Sequence, residues 1–479
     1  MNRKNMKKIL IASIALILPS VILSSSLNTK NINDDEWNVK FELPSICLDF
    51  DVIKLEDGYM ILSGWPDIWL TKLDKRGNLM WKKCVSSGNR DLPAAIVELE
   101  DGFAIGGYTE KVDDDLFLIK TDKSGELLWR KTYGEKGVAE YGGRVIKVRG
   151  GFLLVGEQDD IFWVLKVDEE GNEIWNRTFF EKGNEWGEGC DALEIEDGYL
   201  LLGLCYSNGR IGLVKVDENG NEIWNKTYSR GAYEGDATII KIEDGYLIGG
   251  WGDPGSFLLK IDKEGNKIWY KNYLGGDILF KDIGEVEDGY AAVGYWQIKN
   301  IGGFDILLLK VDKNTGYPIW YKNFGGRDDD FGYRLLIENK SYFIFGEYGK
   351  RVTQRGKGVM IKCADYAPPE INITRPRENY LYIFDREIMP YDYTFVIGKI
   401  TIEAEVYNPS NAIIKRIEFY IDRNREYTYE PVKILYSPPY QWTVDMPVHG
   451  WITLTAGLYY GDAEGVVAVE KGMRIIKLI

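Results

Sequence analysis

The 479-residue sequence predicts an all-β protein of two domains, a β-propeller of seven four-stranded repeats followed by a β-sandwich. Three observations carry this. The length exceeds the roughly 250–300 residues at which a single core stops growing. Composition is rich in strand and turn formers, with 31 Tyr, 15 Trp and 53 Gly, and the apolar runs are short and bounded by tight-turn signals. Finally, the text after residue 50 repeats with a spacing of 44 to 51 residues, within reach of the roughly 40–50 residues of a propeller blade.

Residues 1–29 have the three parts of an export signal. Arg3, Lys4, Lys7 and Lys8 precede an apolar run from Ile9 to Leu23, which Pro19 interrupts and Ser24, Ser25 and Ser26 follow. The run is shorter than the roughly 20 residues that span a bilayer, which favours cleavage over retention as an anchor. The expected localisation is secreted or cell-surface, with membrane contact only through this segment where it stays uncleaved. A net charge of −15 repels phosphate backbones and argues against a nucleic-acid partner. Five cysteines without Cys-x-x-Cys spacing and one histidine, His449, argue against a dithiol redox motif, most zinc chemistry and His-based triads. His449 itself reads as a packing residue of the second domain.

Residues 30–365 hold the repeats. Asp-x-x-Gly-x-x-x-Trp recurs at Asp74–Trp81, Asp122–Trp129, Asp168–Trp175, Asp217–Trp224 and Asp262–Trp269, and with one extra residue at Asp312–Trp320. A second marker precedes an apolar strand: Asp57-Gly58, Asp101-Gly102, Asp197-Gly198, Asp244-Gly245 and Asp288-Gly289, with Gly150-Gly151 and Lys340-Ser341 in the same place. These mark seven hairpins, with Asp-Gly expected to form the two-residue turn. In the fifth repeat the predicted strands a to d are 237–242, 246–250, 256–261 and 267–273. Apolar runs such as Tyr246-Leu247-Ile248 lack alternation, as expected where both faces of a sheet are covered. Strands a to d recur six times up to Phe324, after which only a, b and c follow, ending at Cys363. Residues 36–41 copy strand d, and are predicted to pair with residues 358–363 and hide an open sheet edge.

The stretch Asp312-Lys313-Asn314-Thr315-Gly316-Tyr317-Pro318-Ile319-Trp320 resembles the recurring Asp-x-x-Thr-Gly-x-x-x-Trp of tryptophan-docking, quinoprotein-like propellers. The resemblance implies the fold and a docking role for the Trp, and transfers no chemistry. The vicinal cysteine pair used by many quinone-dependent members is missing, so no quinone is expected. Beyond Ala367-Pro368-Pro369, residues 366–479 alternate as strands, for example Ile400–Val406 and Ile414–Ile421, and predict six to eight strands in a sandwich. Ile414–Asp422, Pro438–Trp442 and His449–Gly461 resemble the immunoglobulin-like modules of secreted prokaryotic proteins, which implies a spacer or adhesion role.

The a–b and c–d turns are short and uniform, whereas the b–c and d–a connections vary, which places a binding surface on the second set. Aromatic residues end strand b on that side: Trp65, Tyr108, Trp251 and Tyr295, with Trp296 beside the last. Together with Asp328 and Asp330 they are the predicted ligand contacts, able to stack on sugar rings or an extended peptide. Packing between blades is the competing reading. The runs Asp113-Asp114-Asp115 and Asp328-Asp329-Asp330 offer hard oxygens to Ca²⁺ but follow no calcium-loop spacing, so solvated loops are expected and no cofactor is assigned. Asn176, Asn225, Asn339 and Asn372 are glycosylation sequons. The first two directly follow the repeat Trp, where alternation points them away from it. Cys190 and Cys205 stand equidistant from the Asp197-Gly198 turn and are a candidate disulfide in an exported protein.

These features predict an exported, non-catalytic binding or scaffolding protein with a protein or polysaccharide ligand at the cell surface. Two further readings stay open: a polysaccharide-processing hydrolase or lyase using propeller acids, and a membrane-surface assembly factor held by its N-terminal segment.

Overall fold

The computed structural model describes residues 37–43, 50–86, 90–110, 114–180, 187–205, 210–229, 236–252, 255–273, 277–297, 303–325, 328–350, 357–365, 370–407, 414–423, 432–445, 450–460 and 467–478. The expected leader, Asp113, the 367–369 linker and His449 lie outside them. Asp365–Ile479 belong to a second unit.

The described residues between 37 and 364 form seven four-stranded antiparallel sheets in a propeller-like arrangement. The first sheet comprises strands a to d at Phe50–Leu55, Gly58–Ser63, Ile68–Asp74 and Leu79–Ser86. Strand a of the next five is Asp91–Glu98, Glu140–Val148, Gly187–Ile195, Ala237–Ile242 and Asp277–Val286; their strands d end at Tyr133, Phe179, Ser229, Tyr273 and Phe324. The seventh sheet takes strands a to c from Asp329–Glu338, Ser341–Lys350 and Lys357–Ala364, and its fourth strand is Trp37–Glu42. Trp37 lies opposite Lys362 and Phe41 opposite Gly358, in the register expected from the sequence. Strand a of each sheet packs against strand a of the next, and strand a of the seventh returns to that of the first.

The repeat motif explains how neighbouring sheets grip one another. Asp217 caps its own c–d turn, its Oδ1 accepting from the backbone N–H of Asn219 at 2.9 Å and of Asn221 at 2.8 Å. The turn glycine, Gly220, has φ +77, a left-handed conformation that disfavours a side chain. It also receives the Trp of the preceding sheet. A Cβ on Gly220 would lie 3.0 Å from the Trp175 ring, and one on Gly265 would lie 2.9 Å from Trp224. Trp175 Nε1 donates to the Glu218 carbonyl at 3.1 Å. Four residues after the Trp, Tyr133, Tyr228 and Tyr273 donate their hydroxyls to the carbonyls of Gly171, Gly265 and Gly316 at 2.7, 2.6 and 2.7 Å. In the first sheet Gly77 meets Val39 of the N-terminal strand instead, so that strand takes the role strand d plays elsewhere.

The hairpin turns differ from expectation by one residue. Ile195 pairs with Gly198 and Leu55 with Gly58, so the two-residue turns are Glu196-Asp197 and Glu56-Asp57, and the glycine already belongs to the ladder. Its reason is close approach: a Cβ on Gly198 would stand 2.0 Å from the Val216 carbonyl oxygen. A second irregularity lies at the other end of strand a. In five sheets the a–b register slips between Pro93/Ala95, Gly142/Arg144, Gly189/Asp191, Phe280/Asp282 and Gly332/Arg334, a bulge that re-aims the following side chain.

The second unit contains a three-stranded sheet, Glu370–Arg375, Ile400–Tyr407 and Tyr440–Val444, and a seven-stranded one. The latter runs Arg386–Pro390, Tyr380–Ile383, Phe395–Ile397, Val467–Leu478, Gly450–Tyr460, Ile414–Arg423 and Lys433–Leu435. Among the described residues ten strands stand where six to eight were expected, because short segments between the alternating runs also pair. Alternate residues Ile417, Phe419 and Ile421, and Ile452, Leu454, Ala456 and Leu458, are buried, and Phe419 meets Trp442 of the other sheet with ring centroids 6.1 Å apart.

Candidate functional site

Trp65, Tyr108, Trp251 and Tyr295 are half-buried at the ends of their strands, while Trp296 is buried at 8% exposure. They do not form one platform. Each leans on the start of strand a in the following sheet: Arg90 lies over Trp65 at 5.8 Å, Tyr108 meets Tyr141 edge-on at 5.4 Å, and Lys281 lies over Trp251 at 5.4 Å. The Trp251 and Trp65 indole nitrogens are buried without a hydrogen-bond acceptor.

Tyr295 belongs to something larger. It meets Phe304 at 5.3 Å and Phe331 at 4.8 Å, both edge-on, and Phe331 stacks with Tyr333 at 6.2 Å. All four rings are half-buried. Phe304 opens strand c and Phe331 lies near the start of strand a, so the cluster gathers at the b–c and d–a end of the sixth and seventh sheets. The Tyr333 hydroxyl donates to Glu347 Oε2 at 3.2 Å, a carboxylate itself buried at 1% exposure. Asp328 is half-exposed nearby in sequence; Asp330 is buried at 1% and accepts from the Gly349 N–H at 2.7 Å.

A belt of six polar residues and one alanine lies at equivalent positions on the strands a, one per sheet: Asp51, Ala95, Arg144, Asp191, Thr238, Asp282 and Arg334, five of them directly after a bulge. Arg144 Nε donates to Asp191 Oδ1 at 2.7 Å, and Arg334 Nε to Asp51 Oδ1 at 2.7 Å. Each carboxylate also accepts a backbone N–H from strand a of the next sheet: Ile96 to Asp51 at 2.8 Å, Ile239 to Asp191 at 3.1 Å, Leu335 to Asp282 at 2.9 Å. Arg144 also feels Asp51 and Asp282, so belt residues of non-adjacent sheets face a common axis. Burial pushes the Asp282 carboxyl above its usual range, against the pull of Arg334 and Arg144. Three acids and two arginines nearly cancel, and their bonds are spent on joining sheets, so the belt reads as a rivet.

The strand register does not set Cys190 and Cys205 opposite each other. Cys205 stands opposite Gly187, and Cys190 is the extra residue of the bulge between Gly189 and Asp191. The displaced turn and the bulge together shift the register on which the pairing was based, and Cys190 sits buried against Leu204 and Ile239 in the core between the fourth and fifth sheets. Asn176, Asn225, Asn339 and Asn372 are all exposed; the Asn176 and Asn225 amides donate to Glu173 and Glu222 at 2.7 and 2.6 Å.

No protein-family model matches the chain, and no curated protein does. Among solved structures, the periplasmic gluconolactonase of Pseudomonas aeruginosa is similar at 9% identity and a TM-score of 0.43, over 59% of this chain and 86% of that one. A protein of unknown function from Bacteroides caccae is similar at 12% identity and 0.38, over 56% and 94%. A variant of Synechocystis apocarotenoid oxygenase is similar at 12% identity and 0.37, over 56% and 72%. Likenesses this distant assign no activity.

Proposed function

We propose that the first unit is a seven-bladed β-propeller acting as an exported, non-catalytic module that binds polysaccharide, with residues 366–479 as an immunoglobulin-like spacer or attachment unit. The observation that carries this reading is the half-buried cluster of Tyr295, Phe304, Phe331 and Tyr333. Aromatic faces suit a sugar ring, whose C–H face stacks on them. The cluster stands on rigid strands at the end where connections vary, which is where a scaffold diversifies its ligands. Calorimetry against a panel of soluble polysaccharides tests the reading. One member should bind, and Tyr295→Ala should weaken it at least tenfold while the melting temperature stays close to that of the parent. Release of reducing or unsaturated ends would replace the reading with a hydrolase or lyase, and binding only to peptides would replace the ligand class.

A further inference from the structure

Asp115 and Glu140 meet between the second and third sheets. Asp115 directly precedes strand c at Leu116–Asp122, and Glu140 opens strand a at Glu140–Val148. Main-chain bonds fix both: the Asp115 carbonyl accepts from Thr109 N–H at 3.0 Å, and Glu140 N–H donates to the Asp114 carbonyl at 3.0 Å. Glu140 is 0% exposed. Its Oε1 accepts from Gln158 Nε2 at 2.9 Å and from Glu135 N–H at 3.1 Å. Oε2 is buried as well and has no hydrogen-bond donor.

Gly134 marks the space this oxygen faces. A Cβ on Gly134 would lie 2.2 Å from Asp115 Oδ1 and 2.6 Å from Glu140 Oε2. The two oxygens are thus no further apart than two calcium–oxygen bonds of roughly 2.4 Å placed end to end. Asp115 and Glu135, both acidic, are among the charges that act on Glu140. A buried carboxylate among like charges is unfavourable unless a cation or a proton joins it.

The same arrangement recurs between the sixth and seventh sheets, where a Cβ on Gly325 would lie 2.0 Å from Asp305 Oδ1 and 2.8 Å from Asp330 Oδ2. There Lys40 and Asp330 attract one another. We propose that Asp115 and Glu140 bind one divalent cation of the calcium type, which ties the second sheet to the third. Hard oxygens suit this ion, and its tolerance of irregular geometry suits a site completed by water; magnesium, which demands a near-ideal octahedron, fits it less well. Two carboxylates place the affinity in the weak range of extracellular modules, with Kd roughly 10⁻⁴–10⁻³ M.

The test uses the full chain, freed of metal with EDTA, in calorimetry and thermal melts with calcium chloride up to about 10 mM. One calcium ion should bind per chain and raise the melting temperature. Glu140→Gln should weaken binding at least tenfold and leave the melt indifferent to calcium, whereas Asp330→Asn should bind as the parent does. Asp115→Asn is read in the same way should Glu140→Gln fail to fold. A parent melt that ignores calcium yet rises on acidification to about pH 5 means the pair shares a proton, and overturns the proposal. Calcium binding undiminished in both Glu140→Gln and Asp115→Asn overturns it equally.

Discussion

Replacing Asp191 with Ala probes the axial belt where its bonds are densest. Asp191 is 4% exposed and accepts from Arg144 Nε at 2.7 Å, Thr238 Oγ1 at 2.7 Å, and the N–H groups of Ala192 and Ile239 at 2.9 and 3.1 Å. The substitution leaves the Arg144 guanidinium without its carboxylate and two backbone donors without an acceptor. Removing one partner of such a pair costs about 3–5 kcal/mol, far more than the pair itself contributes. Arg144→Ala should cost less, because Asp191 keeps three donors. The double replacement should then cost about 1–3 kcal/mol less than the two single losses added together, the usual coupling of residues sharing a network. Urea unfolding followed by tryptophan fluorescence measures this, comparing midpoints at constant slope. A loss below about 1 kcal/mol for Asp191→Ala, or strict additivity with Arg144→Ala, would refute the rivet.

Three further outcomes are expected. Tyr228→Phe, which deletes the hydroxyl bonded to the Gly265 carbonyl at 2.6 Å, should destabilise by about 1 kcal/mol in the same unfolding assay. Glu157 has its carboxyl pushed up to about 7 by burial and by Asp160; its unfolded value lies near 4.3. The unfolded state therefore releases this proton first, and Glu157 lowers stability progressively as pH rises from about 4.3 to about 7. Melting profiles should show that decline flattened in Glu157→Gln. The Cys84 thiol is raised by burial and by Asp67, so at pH 8 it should alkylate more slowly than a free thiol such as glutathione, as mass spectrometry of the modified peptide would show.

Much of the fold was legible because the repeat is enforced by local chemistry. The Asp-x-x-Gly turn needs its cap and its left-handed glycine, and the Trp that follows marks the next contact, so both leave fixed letters. The Trp37–Glu42 strand was legible through Trp37 and Phe41, which copy the spacing of Trp224 and Tyr228. The belt was present in the same text: Asp51, Ala95, Arg144, Asp191, Thr238, Asp282 and Arg334 each stand six residues before the last residue of their hairpin turn. It escaped notice because its letters vary in charge, and their pairing is set between sheets. Bulges hid the true partner of Cys205, since one inserted residue changes no composition. Tyr295, Phe304, Phe331 and Tyr333 come from two sheets and three strands, and Asp115 and Glu140 from two sheets, so only folding reveals that they touch.

The seventh sheet draws one strand from Trp37–Glu42 and three from the segment ending at Ala364. On a ribosome the first strand emerges about 300 residues before its partner at 357–362, a wait of roughly 15–60 s at 5–20 residues per second. The strand is fitted to that wait. Only Phe41 of its six residues is buried, and Asn38, Lys40 and Glu42 are exposed in the finished structure, so the nascent segment offers little that aggregates. The last sheet to form also packs against the first and the sixth, and until it does the growing chain is an open array of six sheets. A nascent chain stalled before residue 357 should accordingly remain a chaperone client, however many of its repeats have already folded.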